Sequence, residues 1–230
     1  MHFRLFLPLA LFSLPVLAHD LWIEKDAGGY VLFQGHRHSA HEGAELVPYA
    51  ASAVQAVSCV AADGSAKLLP PAKAYPARFA GDCASLLTTF STGYWTKTVW
   101  ETKNIARTGI SGVIRSWYAE ESLKYVERWG TGSAEPAGRG FEISATTNPF
   151  ALRVGDKLVV QVSDSGKPVA GVPVAYAGDT RGATGPDGKV AIRLRRGGMQ
   201  LITASLETPL ADGKADVLLR TAALQFEIAR

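Results

Sequence analysis

Residues 157–206 read KLVVQVSDSGKPVAGVPVAYAGDTRGATGPDGKVAIRLRRGGMQLITASL. Short runs rich in Val, Ile, Leu and Ala, at Lys157–Val162, Val172–Ala177, Lys189–Leu194 and Met199–Leu206, alternate here with turn residues. The turns fall at Ser165-Gly166, Gly178-Asp179, Pro186-Asp187-Gly188 and Gly197-Gly198, and Asp212-Gly213 leads into a further run, Val217–Ile228. Asp-Gly and Gly-Gly pairs supply the positive φ that tight hairpins need, while β-branched side chains suit a pleated, half-buried surface. Short strands at this spacing predict an antiparallel β-sandwich over residues 146–230.

Upstream of it, Gly130-Thr131-Gly132-Ser133-Ala134-Glu135-Pro136-Ala137-Gly138 is small, polar and rich in breakers, which predicts a linker over residues 131–145. Residues 19–130 then form a second, β-rich unit. Its first strands are Asp20–Glu24 and Tyr30–Gln34, joined through Gly28-Gly29 as a hairpin. Ala53–Val60, Ala84–Phe90 and Tyr94–Trp100 are further strand candidates. One segment has helical spacing: Tyr118, Leu123, Val126 and Trp129 within Ser116–Gly130, with Glu120 and Glu121 in the first turn offsetting the helix dipole. The expected fold class is therefore mainly β, with one short helix in the N-terminal unit and a C-terminal sandwich.

The chain has 230 residues, 47% of them hydrophobic and 20% charged, a composition that excludes wholesale disorder and collagen-like repeats. Its 24 basic and 21 acidic residues form no Lys/Arg block, so no nucleic-acid partner is expected. Met1–Ala18 reads MHFRLFLPLALFSLPVLA, an apolar run behind Arg4 that ends in small residues. This is the pattern of a cleaved signal peptide, with the cut expected between Ala18 and His19. The mature chain is then expected in the periplasm, as a monomer without a transmembrane segment.

Export also bears on Cys59 and Cys83, the two cysteines of the chain. An oxidising compartment favours a disulfide between them, the alternative being a thiolate metal site. After cleavage Met199 is the one remaining methionine, so soft sulfur ligands are scarce.

The histidines carry the functional reading. Apart from His2, all of them, His19, His36, His38 and His41, lie within residues 19–41, and none follows over the remaining 189 residues. Cleavage before His19 would create an α-amine beside its imidazole, and an amine titrating near ~8 is readily deprotonated by a metal. His36 and His38 are two apart, so an extended backbone puts both on one face. A hairpin over 20–34 brings residue 19 to the same end as residue 36. Four nitrogen ligands of this kind suit Ni(II), Cu(II) or Zn(II), and ligand type alone does not choose among them.

Several of these segments together are distinctive: His19-Asp20-Leu21-Trp22-Ile23-Glu24, Gly35-His36, Gly93-Tyr94-Trp95-Thr96-Lys97-Thr98, Ser116-Trp117-Tyr118 and Lys124-Tyr125. They resemble the periplasmic nickel-binding accessory proteins of energy-coupling-factor-type nickel transporters. The resemblance implies capture of Ni(II) outside the inner membrane and its delivery to an integral membrane component of a nickel transporter. It further implies His19 and His36 as ligands, whereas His38 and His41 rest on clustering. The stretch Pro168–Val174, with Thr184-Gly185-Pro186-Asp187-Gly188-Lys189, resembles carboxypeptidase-regulatory-like and other Ig-like sandwiches, which usually act as scaffolds.

The competing readings are a periplasmic copper-binding protein, a copper oxidase that braces its metal with an N-terminal His, and a surface module with incidental histidines. Four clustered imidazoles exceed what a brace needs. Catalysis is not expected: the retained histidines sit in one short segment, and the chain has neither a Gly-x-Ser-x-Gly elbow nor a Walker loop. Tyr94-Trp95-Thr96-Lys97 reads as a strand with Trp95 in the core and Lys97 exposed, or else as aromatics serving the metal site or a partner.

Overall fold

A strand with apolar cores on both faces has no reason to alternate polar and apolar side chains, and this governs the centre of the molecule. The structure, a computed structural model, describes residues 19–37, 46–137 and 140–230. The expected signal peptide, 1–18, lies outside the described residues.

In the first half, β1 (Asp20–Asp26) and β2 (Gly29–Gly35) form the expected hairpin. Gly29 has φ +123°, and a Cβ there would strike the carbonyl oxygen of Phe79, so the turn requires glycine. After these come β3 (Val54–Val60), β4 (Ala66–Leu68), β5 (Ala77–Phe79), β6 (Ser85–Thr98), β7 (Thr102–Lys103) and β8 (Val113–Val126). The second half contains β9 (Phe141–Ala145), β10 (Lys157–Asp164), β11 (Lys167–Pro168), β12 (Pro173–Tyr176), β13 (Asp179–Ala183), β14 (Lys189–Arg193), β15 (Gly198–Pro209) and β16 (Val217–Ile228). Two single 3-10 turns, Ala51–Ala53 and Pro149–Ala151, complete the regular structure of the described residues.

These strands make three sheets. The largest has nine strands, in the order β13-β12-β15-β16-β8-β6-β3-β4 with β7 on β6. A sheet of β9, β10, β11 and β14 covers one face, and a sheet of β1, β2 and β5 covers the other. Side chains alternate between the two cores along each central strand: Ala222, Leu224 and Phe226 enter the first, and Ala223 enters the second. The first core joins these to Ile143, Leu158, Val160 and Ile192. The second packs Leu21, Ile23, Tyr30 and Leu32 against Leu86, Phe90, Leu123 and Leu201. Cys59 on β3 is joined to Cys83 by a disulfide, with Cα atoms 5.3 Å apart.

Mainly β architecture and a sandwich follow the sequence reading, but three details differ. The predicted helix over Ser116–Gly130 is instead strand β8, paired antiparallel with β6 and parallel with β16. Leu123 serves one core and Val126 the other, while Ser122 donates to the Phe141 carbonyl. Apolar spacing on a strand buried from both sides therefore imitates a helical stripe. Glu120 and Glu121 consequently point to opposite faces of a sheet and offset no dipole.

The segments Ala84–Phe90 and Tyr94–Trp100 belong largely to one long strand, β6, whose pairing shifts between Phe90 and Gly93. Finally, β9 occupies Phe141–Ala145, within the span expected as linker, and the nine-stranded sheet takes strands from both sides of that span. The β16–β8 ladder, Val217↔Trp117 to Gln225↔Tyr125, is the seam between the halves.

Candidate metal centre

The β1–β2 hairpin presents the site, and a few polar contacts fasten it to the large sheet. Gln225, 3% exposed, accepts from the Ile23 amide at 2.7 Å and donates to the Ile23 carbonyl at 2.7 Å. One side chain thus satisfies both main-chain groups that β1 turns toward β16. The Tyr30 hydroxyl donates to Glu127 at 2.7 Å and accepts from the Cys83 amide at 3.1 Å, which ties β2 to the disulfide. The Tyr49 hydroxyl donates to the Leu32 carbonyl at 2.6 Å, and Gln34 donates to Glu121 at 3.3 Å.

At the open end of this hairpin the register pairs Asp20 with Gly35, which leaves His19 opposite His36. Their ring centroids are 4.8 Å apart in an edge-on arrangement, 71° between planes. A metal–nitrogen bond of about 2.0–2.1 Å places a ring centroid roughly 3.2 Å from the ion. Two imidazoles on one ion then have centroids about 4.5 Å apart at a right angle and about 5.2 Å at a tetrahedral angle. The observed spacing of 4.8 Å falls between these two values.

Electrostatics favour ligation. Burial first, and then the neighbouring His36 ring, lower the pKa of His19, keeping its imidazole neutral at pH 7. Behind it, burial and the Asp20 carboxylate push Glu121 up to about 8, against the opposing bond from Gln34. Arg37 is held away by an ion pair with Glu24 at 2.7 Å and lies 5.1 Å above the ring of Trp22, which in turn stacks on Phe33. The cation adjoining the histidines is thereby neutralised and anchored.

His38 and His41 lie outside the described residues. Leu46 bridges to Gly35, and the Val47 amide donates to the Gln34 carbonyl at 2.7 Å. Among the described residues no group of three or more His, Cys, Asp or Glu could hold a metal. Neither cysteine is free, so a thiolate site is excluded.

Sequence reading missed Gln225, Gln34 and Glu121 as the parts that seat the hairpin. A polar residue amid apolar ones, as in Leu224-Gln225-Phe226, was the available signal. Trp95 is half-buried outside both cores, stacked on Trp117 at 6.2 Å, whereas Thr96 is buried and Lys97 is exposed.

Among the described residues no helix is long and apolar enough to cross a membrane. No curated protein and no solved structure matches the chain. One family model does, a domain of unknown function designated DUF4198, over residues 16–208. With most of its length inside that match, the chain belongs to the DUF4198 family.

Proposed function

We propose that this protein captures Ni(II) in the periplasm and passes it to the membrane component of a nickel transporter. The ligands are the α-amine and imidazole of His19, created by cleavage after Ala18, together with His36 and the nearby His38 and His41. The observation that carries this reading is the 4.8 Å approach of His19 to His36 at the end of a firmly seated hairpin. The lowered pKa of His19 and the local clustering of the remaining histidines also support it. The protein acts by chelation and catalyses no reaction. Protonation of the imidazoles releases the ion, so binding weakens below about pH 5.5.

The test is calorimetric titration of Ni(II) into the mature chain starting at His19, into the same chain with one Ala added before His19, and into His36→Ala. Ligand loss should weaken binding by at least about 100-fold, more than loss of a residue that merely supports a ligand. Equal affinity in all three proteins would overturn the proposal. Competition with Cu(II), and nickel content after export in the native host, decide between nickel and copper as cargo.

A further inference from the structure

The hairpin end opposite in character to the histidine site lies at Thr98–Glu101. The Thr98 amide donates to the Glu101 carbonyl at 2.8 Å, leaving Val99 and Trp100 as the two residues of the turn. The Thr98 hydroxyl accepts from the amides of Trp100 and Glu101, both at 3.2 Å, so the turn is fixed. Such positions ordinarily hold Gly, Asn or Asp. Here Val99 is 62% and Trp100 75% exposed, and Ile114 on the adjoining strand is 60% exposed.

Among the described residues, nine large hydrophobic side chains are exposed, and five of them fall within residues 99–114. Apolar surface is therefore concentrated here. Gly112, at φ +67°, lets the Trp100 ring lie against the backbone, since a Cβ there would sit 2.8 Å from the indole. The indole is displayed in a set position, outside both cores.

Charge selects the occupant. Residues 97–115 contain Lys97, Lys103, Arg107 and Arg115 against Glu101 alone. Lys97 and Arg115 face each other across the ladder two residues behind the turn, about 7 Å away at strand rise. Arg107 and Arg115 pair with Asp216 and Glu207, and Lys103 pairs with Glu101, while Lys97 has no ion pair among the described residues. An apolar tip backed at that distance by the unneutralised charge of Lys97 matches the profile of a bilayer interface, where apolar groups sink roughly 5–10 Å below the headgroups. Trp favours that depth, and lysine stems reach back to the phosphates.

We propose that the Val99-Trp100 turn, with Ile114 beside it, is an anchor that inserts into a lipid surface carrying anionic headgroups. Nothing in this anchor uses the histidines, so it stands or falls apart from nickel binding.

The test is co-sedimentation of the mature chain with phosphatidylcholine vesicles, with and without phosphatidylglycerol, in a chelator that removes metal bridges. Binding should be stronger to the anionic vesicles and reduced by salt. The double variant Val99→Ser/Trp100→Ser should lose it while keeping the wild-type melting temperature. Lys97→Glu should weaken it by about fivefold or more, the factor expected for one basic residue near an anionic surface. Brominated lipid should quench tryptophan fluorescence, and Trp100→Phe should bind with that quenching lost. No sedimentation of the wild type, equal sedimentation of the double variant, or quenching that survives Trp100→Phe would each overturn the anchor. Retention on solubilised membrane proteins without vesicle binding would overturn it too, assigning the turn to a protein partner.

Discussion

Two hairpins of this molecule, β1–β2 at its open end and β6–β7 at its turn, serve opposite purposes. At the β1–β2 hairpin the apolar side chains Leu21, Ile23, Tyr30 and Leu32 are driven into a core, and polar groups such as Gln225, Glu127 and Gln34 pin the ribbon in place. At the turn of residues 98–101 the hydroxyl of Thr98 holds the backbone, and Val99 and Trp100 face outward. The first arrangement fixes two histidine rings relative to each other, and the second places apolar surface where a partner can reach it. Removing polar contacts should harm the first end. The second end should tolerate losing its side chains without loss of stability.

The largest expected loss comes from replacing both Cys59 and Cys83 with Ser. The residues are 24 apart, and releasing the cross-link should cost about 3–4 kcal/mol by chain entropy, read as a fall in the denaturation midpoint. Because Tyr30 hydrogen-bonds to Cys83, amide exchange in β2 should rise as well. A stability within 1 kcal/mol of wild type would show that the hairpin does not depend on the bridge.

Gln225→Ala comes next. It strands the buried amide and carbonyl of Ile23, at a cost of about 1–3 kcal/mol. Hydrogen exchange at Ile23 should speed up more than at Leu158 in the opposite core. Uniform acceleration throughout the protein would mean that β1 is not separately fastened.

The last effect is pH-dependent. Glu121 titrates at about 8 in the folded protein, above its unfolded value, chiefly through burial and then through Asp20. A carboxyl raised in this way contributes stability fully below its unfolded pKa and loses it as pH rises through 8. Glu121→Gln should stay close to wild type near pH 4 and exceed it increasingly toward pH 9, by several kcal/mol at the upper end. Parallel melting-temperature profiles from pH 5 to 9 would refute this role.

Much of the fold was legible where a strand meets solvent on one side or ends at a glycine turn. The hairpin of β1 and β2 and the limits of β16 could be read from local pattern, as could the pairing of two cysteines. The approach of His19 to His36 needed one turn and a register of period two. The centre of the large sheet was not legible. The last residues of β8, 123–126, lie between the two cores, so their polar member is satisfied from outside the strand: Lys124 donates to the carbonyls of Ser133 and Glu135 and to the hydroxyl of Ser144. No local periodicity records such partners.

Local sequence by itself determined the β character, the turns, and which histidines stand at the end of a hairpin, because these depend on residues a few positions apart. Only the tertiary structure decided that β8 is a strand and that both halves share one sheet. It also decided that Gln225 clamps Ile23 from 202 positions away. Those outcomes depend on which surfaces become buried together, and burial is settled by the whole chain.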